Sequence, residues 1–309
     1  MKVITLIPVK NEAWILPWTL KNFSDFSDVI IIADQQSTDA TRAICAQFPK
    51  VKVIDNNNQG HSNMVRWLLL DEARKIPGEK LIVFLDADEP ISPKAIEAMK
   101  AACTRKPLAF VADWVQLMND GTVHRVDGVW RKSLKAFAFY DDDKVKFPQQ
   151  VVINDHTARI PPITDSISIS LPILHLHFMA LERNKIKQVW YMCHELAAGI
   201  HPYRVNNKYA IAKFEKIETE PVPSEWLEGV TLPPHDAFNA PDIEREERIQ
   251  ELFKEKGIAF FEPLDIWNNM TLRAQFEKEV GRAPNPSLPP KWLVSLNDMK
   301  NYIRYKLLK

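Results

Sequence analysis

The chain has 309 residues, 46% hydrophobic and 26% charged, which is enough for one large domain or one domain with an appendage and too apolar for disorder to dominate. Its 40 basic and 40 acidic residues balance, so no whole-chain field draws a polyanion, and no nucleic-acid partner is expected. Three widely spaced cysteines, Cys45, Cys103 and Cys193, form neither a disulfide framework nor a paired metal knuckle, which points to a reducing compartment. The opening apolar run is too short for a secretory core, and no run approaches the ~20 apolar residues of a membrane span. The expected location is therefore the cytoplasm, with a peripheral contact at the inner face of the membrane left open.

In chain order, the first hundred residues repeat one unit: a short apolar run, polar turn residues, then helical spacing. That pattern predicts a buried parallel sheet. The runs are residues 3–7, 29–33, 51–54 and 81–85, with helices expected over 13–23, 39–48, 62–75 and 93–103. Ser92 followed by Pro93 reads as an N-cap and first-turn pair. Residues 108–176 change to shorter segments rich in aromatic and β-branched residues (110–115, 129–130, 137–140, 167–171), read as antiparallel strands and loops added to the sheet. A helix follows over 182–197, with Ile186, Val189, Trp190, Cys193 and Ala197 at three- and four-residue steps.

Beyond His201 prolines punctuate the chain at 221–241 and 284–290. Between them, residues 242–256 read as a charged amphipathic helix with Ile249, Leu252 and Phe253 on one face and Gly257 as its stop. The expected organisation is a catalytic domain over 1–200 and a proline-punctuated helical extension over 201–309. Its last segment, Asn301-Tyr-Ile-Arg-Tyr-Lys-Leu-Leu-Lys309, is basic and amphipathic, suited to an anionic membrane surface and equally to an ordinary terminal helix.

Ligands of an open parallel sheet bind outside the carboxyl ends of its strands, so the residues just after each run carry the interest. Three ends are polar: Pro8-Val-Lys-Asn-Glu12, Asp34-Gln-Gln-Ser-Thr-Asp39 and Asp86-Ala-Asp88-Glu89. Two carboxylates one residue apart at a buried strand end repel unless something positive sits beside them. A hard divalent cation shared with a diphosphate answers that need. The plainer reading is that Asp86 and Asp88 cap the following helix or face solvent. Asp34, one strand over, is placed to accept hydrogen bonds from a base or ribose. His175 and His177 lie two apart on an expected strand and so share a face, where they would touch the metal or a phosphate or be ordinary core histidines. A zinc site from His175, His177, Cys193 and His194 matches no familiar spacing.

Taken together, Ile7-Pro-Val-Lys-Asn-Glu12, Ala33-Asp-Gln-Gln-Ser-Thr-Asp39, Arg66 within Arg66-Trp-Leu-Leu-Leu-Asp-Glu-Ala-Arg74, and Phe84-Leu-Asp-Ala-Asp-Glu89 resemble the family 2 glycosyltransferases of the GT-A fold. Leu174-His-Leu-His-Phe178 with Lys187-Gln-Val-Trp-Tyr191 resembles the end of the catalytic domain in a bacterial-type subgroup. The resemblance implies an α/β, Rossmann-like GT-A domain with a mixed, mainly parallel central sheet, followed here by a C-terminal helical appendage. By the same likeness, Pro8, Asn11 and Glu12 line the nucleotide pocket, Asp34 recognises base or ribose, Arg66 lies near the nucleotide, and Asp86 and Asp88 hold a metal (Mn2+ or Mg2+) and the diphosphate. His175, the first of the two histidines, is the preferred additional metal ligand, and Lys187 or Arg66 would add positive charge at the diphosphate. The family's second motif usually begins with two aspartates where this chain has Asp34-Gln35, so UDP is only favoured over GDP and dTDP.

The activity this resemblance implies is a metal-dependent, inverting transfer of a sugar from a nucleotide-diphosphate sugar to a hydroxyl of a glycan or glycolipid, by family analogy in surface polysaccharide synthesis. Such a displacement needs a carboxylate base. Candidates are Asp127, Asp141, Asp142, Asp143, Asp155 and Asp165, with Asp155 preferred because Asp155-His-Thr-Ala-Arg159-Ile-Pro161 resembles the subgroup's acceptor-side segment. Trp130 and Arg131 are read as an acceptor-sugar platform or as core. The rival enzyme is a sugar-phosphate nucleotidylyltransferase, which would carry a glycine-rich loop after the first strand, where residues 8–12 have no glycine. The rival of another class is a non-catalytic nucleotide-sugar-binding protein of the same fold.

Overall fold

The computed structural model describes residues 1–58, 63–150, 158–210, 217–288, 290, 292, 296 and 299. Within them the four predicted runs form β1 (Lys2–Val9), β2 (Val29–Asp34), β3 (Val51–Asp55) and β4 (Lys80–Phe84). They alternate with α1 (Leu16–Phe26), α2 (Thr41–Cys45), α3 (Met64–Arg74) and α4 (Pro93–Ala102). After α4 come β5 (Leu108–Met118), β6 (Val123–Arg125), β7 (Leu134–Tyr140), β8 (Ser166–Ser168) and β9 (Ile173–His175). The sheet runs β6-β5-β7-β4-β1-β2-β3, with β8 and β9 both pairing with β5. β1 to β4 are mutually parallel where they pair, and β7 enters antiparallel between β4 and β5. The result is the mixed, mainly parallel sheet of a Rossmann-like GT-A domain.

Two expectations need correcting. The strands after residue 108 are not all antiparallel, because β8 and β9 lie parallel to β5. Residues 128–130 form a 3-10 turn rather than a strand. β1 also runs two residues past its predicted end, through Pro8. Val9 turns its carbonyl to Gln35 N–H beside β2 (2.9 Å), so the Pro8 nitrogen faces β4, whose ladder has already ended at Leu6 and Phe84. The missing N–H therefore costs no ladder bond.

The chain divides into two compact units. The first holds Met1–Arg125, Lys132–Met179 and Glu220–Phe238 over their described residues. On one face of its sheet, Leu69, Leu70 and Ala73 of α3 pack on Ile4 and Leu6, Ile31 and Ala33, and Ile82 and Phe84. Each fully buried aliphatic side chain contributes about 1.5–3 kcal/mol. The second unit gathers Val126–Arg131, Ala180–Thr219 and the described residues from Asn239 onward. Its core joins α5 (Leu181–Ala197), α6 (Pro202–Tyr209), α7 (Ile243–Lys256) and α8 (Met270–Val280). Val189, Trp190 and Cys193 of the α5 stripe meet Ile249 and Phe253 of α7, with Phe261, Trp267 and Phe276. Asp242 caps α7 by accepting from the Arg245 amide, and Gly257 ends it at φ 80°. Among the described residues no helix is long and apolar enough to cross a membrane.

The first unit reclaims a piece of the proline-rich connector. Ser92 does stand at the N-cap of α4, but its hydroxyl donates to the Glu228 carbonyl (2.8 Å) rather than capping the helix. Asn22 donates to the Gly229 carbonyl (3.3 Å). Gly229 has φ 73°, and a Cβ there would lie 2.9 Å from the Pro93 ring. Gly229→Ala is therefore expected to cost about 1–3 kcal/mol in chemical denaturation, from backbone strain and the displaced proline. An unchanged midpoint would contradict this seating of the connector.

Candidate active site

The site sits at the carboxyl end of the sheet, where the turn after β4 carries Asp86, Asp88 and Glu89. On α3, the helical period puts Arg66 on the same stripe as Leu69, Leu70 and Ala73, so an arginine is carried into the interior with the apolar face. Its guanidinium lies over the Phe84 ring, 5.5 Å from the centroid, and Nη2 donates to Asp86 Oδ1 at 2.9 Å. Arg159 donates to Asp86 Oδ2, also at 2.9 Å, and grips Glu89 through both terminal nitrogens. Glu89 is fully buried and further accepts from the Asp86 amide (2.8 Å) and from Trp114 Nε1 on β5 (2.5 Å).

The electrostatics follow from this crossing of charges. Burial by itself would raise the Asp86 carboxyl, but Arg159 and Arg66 outweigh it and hold the group below its ordinary range. Arg159 shows the converse: burial would lower it, but Asp86 and Glu89 hold it above the ordinary arginine value. For Arg66, burial and the neighbouring Arg159 win over Asp86 and lower it. Lys135 of β7 adds a further cation, 4.8 Å from the Trp114 ring centre, lowered chiefly by burial and then by Arg159.

Asp88 belongs to a different set of contacts. Its Oδ2 lies 3.3 Å from His175 Nε2 and 3.7 Å from His177 Nδ1, and the two imidazoles stack with centroids 5.7 Å apart. β9 ends at His175, so both histidines reach Asp88 although only the first is in the strand. The Leu176 amide donates to the Asp88 carbonyl (3.0 Å), which fixes that approach. One carboxylate oxygen with an imidazole nitrogen across a short gap is a donor pair that suits Mn2+, and Mg2+ through the carboxylate. Among the described residues, no three carboxylate, imidazole or thiol side chains stand together as a complete cage. A cation here would take its remaining ligands from diphosphate and water, as is usual at phosphate sites.

The β1 and β2 ends are stitched to each other. Asn11, at φ 52°, accepts from Thr38 N–H (2.8 Å), and its own amide donates to Ser37 Oγ (2.9 Å). Glu12 accepts from Trp14 Nε1 (2.7 Å), and its amide donates to Thr41 Oγ1 (2.9 Å). Asp34 is buried, taking Arg42 Nε on Oδ2 at 2.6 Å and the Ser37 amide on Oδ1 at 3.3 Å. Arg42 also pairs with Asp55, so any base or ribose arriving here meets Asp34 together with Arg42. Gln35 spends its side-chain amide on the Asn58 carbonyl (2.6 Å), tying the loop after β3 to this end.

Of the residues picked from sequence, Arg66, Asp86, Asp88, His175 and His177 meet in one cluster, and Pro8, Asn11, Glu12 and Asp34 line the neighbouring strand ends. Asp155 and the segment 301–309 lie outside the described residues. Asp141 forms a two-point ion pair with Arg74 (2.7 and 3.0 Å), and Asp143 pairs with Lys80 (2.9 Å) at the amino end of β4, while Asp165 pairs with Arg105 (2.9 Å). Lys187 lies on α5 in the second unit, 5.9 Å from the Tyr191 ring centre. Asp127, Trp130 and Arg131 are in that unit too, Arg131 pairing with Glu218 at 3.2 Å. Sequence reading missed Glu89 as the buried hinge of the cluster, Arg159 as its second guanidinium, and Trp114 and Gln116 behind the histidines.

A parallel strand set closed by an antiparallel β7, with acidic and cationic side chains crossing at its carboxyl end, defines a GT-A-type α/β protein. The chain belongs to glycosyl transferase family 2, whose family model matches residues 5–160, just over half of its length. No curated protein matches this chain. Among solved structures it is similar to Mycobacterium tuberculosis glucosyl-3-phosphoglycerate synthase in complex with Mn2+, UDP and glucosyl-3-phosphoglycerate, with 16% identity, 37% of this chain and 44% of that chain covered, and a TM-score of 0.30. It is also similar to S. aureus TarS 1-349, with 12% identity, 100% and 92% covered, and a TM-score of 0.39. A 4-diphosphocytidyl-2C-methyl-D-erythritol synthase matches at 18% identity, 36% and 60% covered, and a TM-score of 0.30. The matched region spans less than half of the mycobacterial synthase.

Proposed function

We propose that the chain is a metal-dependent, inverting glycosyltransferase that moves a sugar from a nucleotide-diphosphate sugar, UDP-sugar favoured, to a hydroxyl of a glycan or glycolipid acceptor. The observation that supports it best is the meeting of Asp86 and Asp88 with two guanidinium groups and two imidazoles at the carboxyl end of β4. A dianionic leaving group needs both kinds of partner. In this reading Asp88 and His175 hold Mn2+ or Mg2+, and Asp86, fixed by Arg66 and Arg159, completes the diphosphate end. The bound cation supplies Lewis-acid stabilisation of the charge that builds on the leaving diphosphate. Arg66 and Arg159 add fixed positive charge beside it, preorganised by burial, so that no reorganisation is needed as the bond breaks. Pro8, Asn11, Glu12 and Asp34 line the nucleotide, with Arg42 offering donors to base carbonyls. Asp155 is the proposed base that takes the acceptor's proton. Assembly of surface polysaccharide on the cytoplasmic side, with a peripheral membrane contact, is the setting we infer for such an acceptor.

The test is a turnover screen of purified protein against UDP-, GDP- and dTDP-sugars with and without Mn2+. Metal-dependent release of sugar from one donor is the expected result. No turnover of any donor with metal present would sink the proposal, and thermal stabilisation by a donor without turnover would favour a non-catalytic nucleotide-sugar-binding protein of the same fold.

A further inference from the structure

Behind the two histidines, β5 supplies a support that the reaction itself does not call for. Gln116 is fully buried, and its Oε1 meets His175 Nδ1, while the Trp114 ring lies against the same imidazole with centroids 4.3 Å apart. β5 and β9 pair in parallel with Gln116 opposite His175, so the contact is fixed by strand register rather than by a loop. An amide oxygen only accepts, so the proton between them sits on Nδ1. In the neutral ring Nε2 then carries the lone pair, and it is Nε2 that stands 3.3 Å from Asp88 Oδ2. A lone pair aimed at a carboxylate oxygen is unfavourable unless a cation comes between them. The same arrangement makes the ring a ready ligand, since metal-binding imidazoles ordinarily give their other N–H to a buried acceptor.

We propose that Gln116 is a positioning residue that sets the tautomer of His175, keeping Nε2 open toward Asp88 for a divalent cation. The inference rests on the metal reading of this site. It assigns to Gln116 a role that no contact with substrate would reveal, and it explains a buried amide whose Nε2 has no hydrogen-bond partner among the described residues. That orphaned group is tolerated because the oxygen must face the imidazole. Turning the amide round would satisfy Nε2 but would place the ring proton on the metal-facing nitrogen.

The experiment is a Mn2+ titration followed by electron paramagnetic resonance on wild type, Gln116→Leu, Gln116→Glu and Asp88→Ala. Alongside it, two-bond proton–nitrogen correlation spectra of the metal-free protein in alkaline buffer read the His175 tautomer. Leu fills the buried space without an acceptor, and Mn2+ affinity is expected to fall ten- to hundredfold, about the range for losing such a supporting group. Glu keeps the acceptor and is expected to lose less than about tenfold, short of the range for removing the supporting group. The wild-type ring should carry its proton on Nδ1, and the Leu variant on Nε2. Wild-type protonation on Nε2, a Leu variant that binds Mn2+ as wild type does, or a Glu variant that loses tenfold or more would each overturn the proposal. If Asp88→Ala loses Mn2+ while Gln116→Leu keeps it, the inference alone falls. If Asp88→Ala matches wild type, the metal reading falls and takes the inference with it.

Discussion

Asp88→Ala is expected to reduce donor turnover on the order of 10^3-fold, the equivalent of about 4 kcal/mol of transition-state stabilisation, and to remove the response to Mn2+. Asp88 is singled out over Asp86 by its contacts. Both oxygens of Asp86 are held by arginines at 2.9 Å, whereas Asp88 presents Oδ2 to the two imidazoles. Removing Asp88 leaves the Arg66–Asp86–Arg159 crossing in place, so the fold should survive with little change in melting temperature. Steady-state kinetics across a Mn2+ series separates this from a general loss of structure. A variant that retains a metal-stimulated rate within tenfold of wild type would show that the cation is held elsewhere.

Glu89→Ala is expected to have the largest effect on stability, about 3–5 kcal/mol, because one fully buried carboxylate holds Arg159, the Trp114 indole and the Asp86 amide. Truncation leaves two interior guanidiniums, Arg66 and Arg159, sharing the single carboxylate of Asp86, and that excess buried charge dominates the cost. On the usual scaling this lowers the melting temperature by roughly 6–20 °C. The double variant Glu89→Ala with Arg159→Met should be less damaged than the sum of the two singles, since it removes the stranded charge with its partner. Chemical denaturation of the four proteins measures the coupling. A single-variant loss below about 1 kcal/mol, the level of an exposed pair, would mean that Glu89 is not the hinge described here.

Much of the architecture is legible in the sequence alone. The four apolar runs, bounded by capping and turn residues, specify a parallel sheet because only strands buried on both faces are apolar at successive positions. The strand ends are then fixed, and with them Asp34, Asp86 and Asp88. Arg66 enters only through the family resemblance, and the helical register that buries it with Leu69, Leu70 and Ala73 is seen in the structure. Contacts made across long stretches of chain are not legible in the sequence. Glu89 looks like one more acidic residue in a polar turn, and its burial depends on Arg159, 70 residues away. Gln116 and Trp114 matter only because β9 returns parallel to β5, and a three-residue strand carries too little pattern to announce its partner. Ser92 shows a similar limit at short range: the capping position is legible, but the Glu228 carbonyl that takes its hydroxyl comes from the connector 136 residues on.

Whether the carboxyl end of β4 holds both a cation and a nucleoside diphosphate decides the proposed function. Crystals grown with Mn2+ and UDP, measured with anomalous scattering at the manganese edge, give the answer without an assay. One manganese peak is expected in direct coordination distance of Asp88, with His175 Nε2 as a second ligand and diphosphate oxygens on its open side. A peak remote from Asp88, or UDP bound with its diphosphate away from Arg66 and Asp86, would refute the assignment.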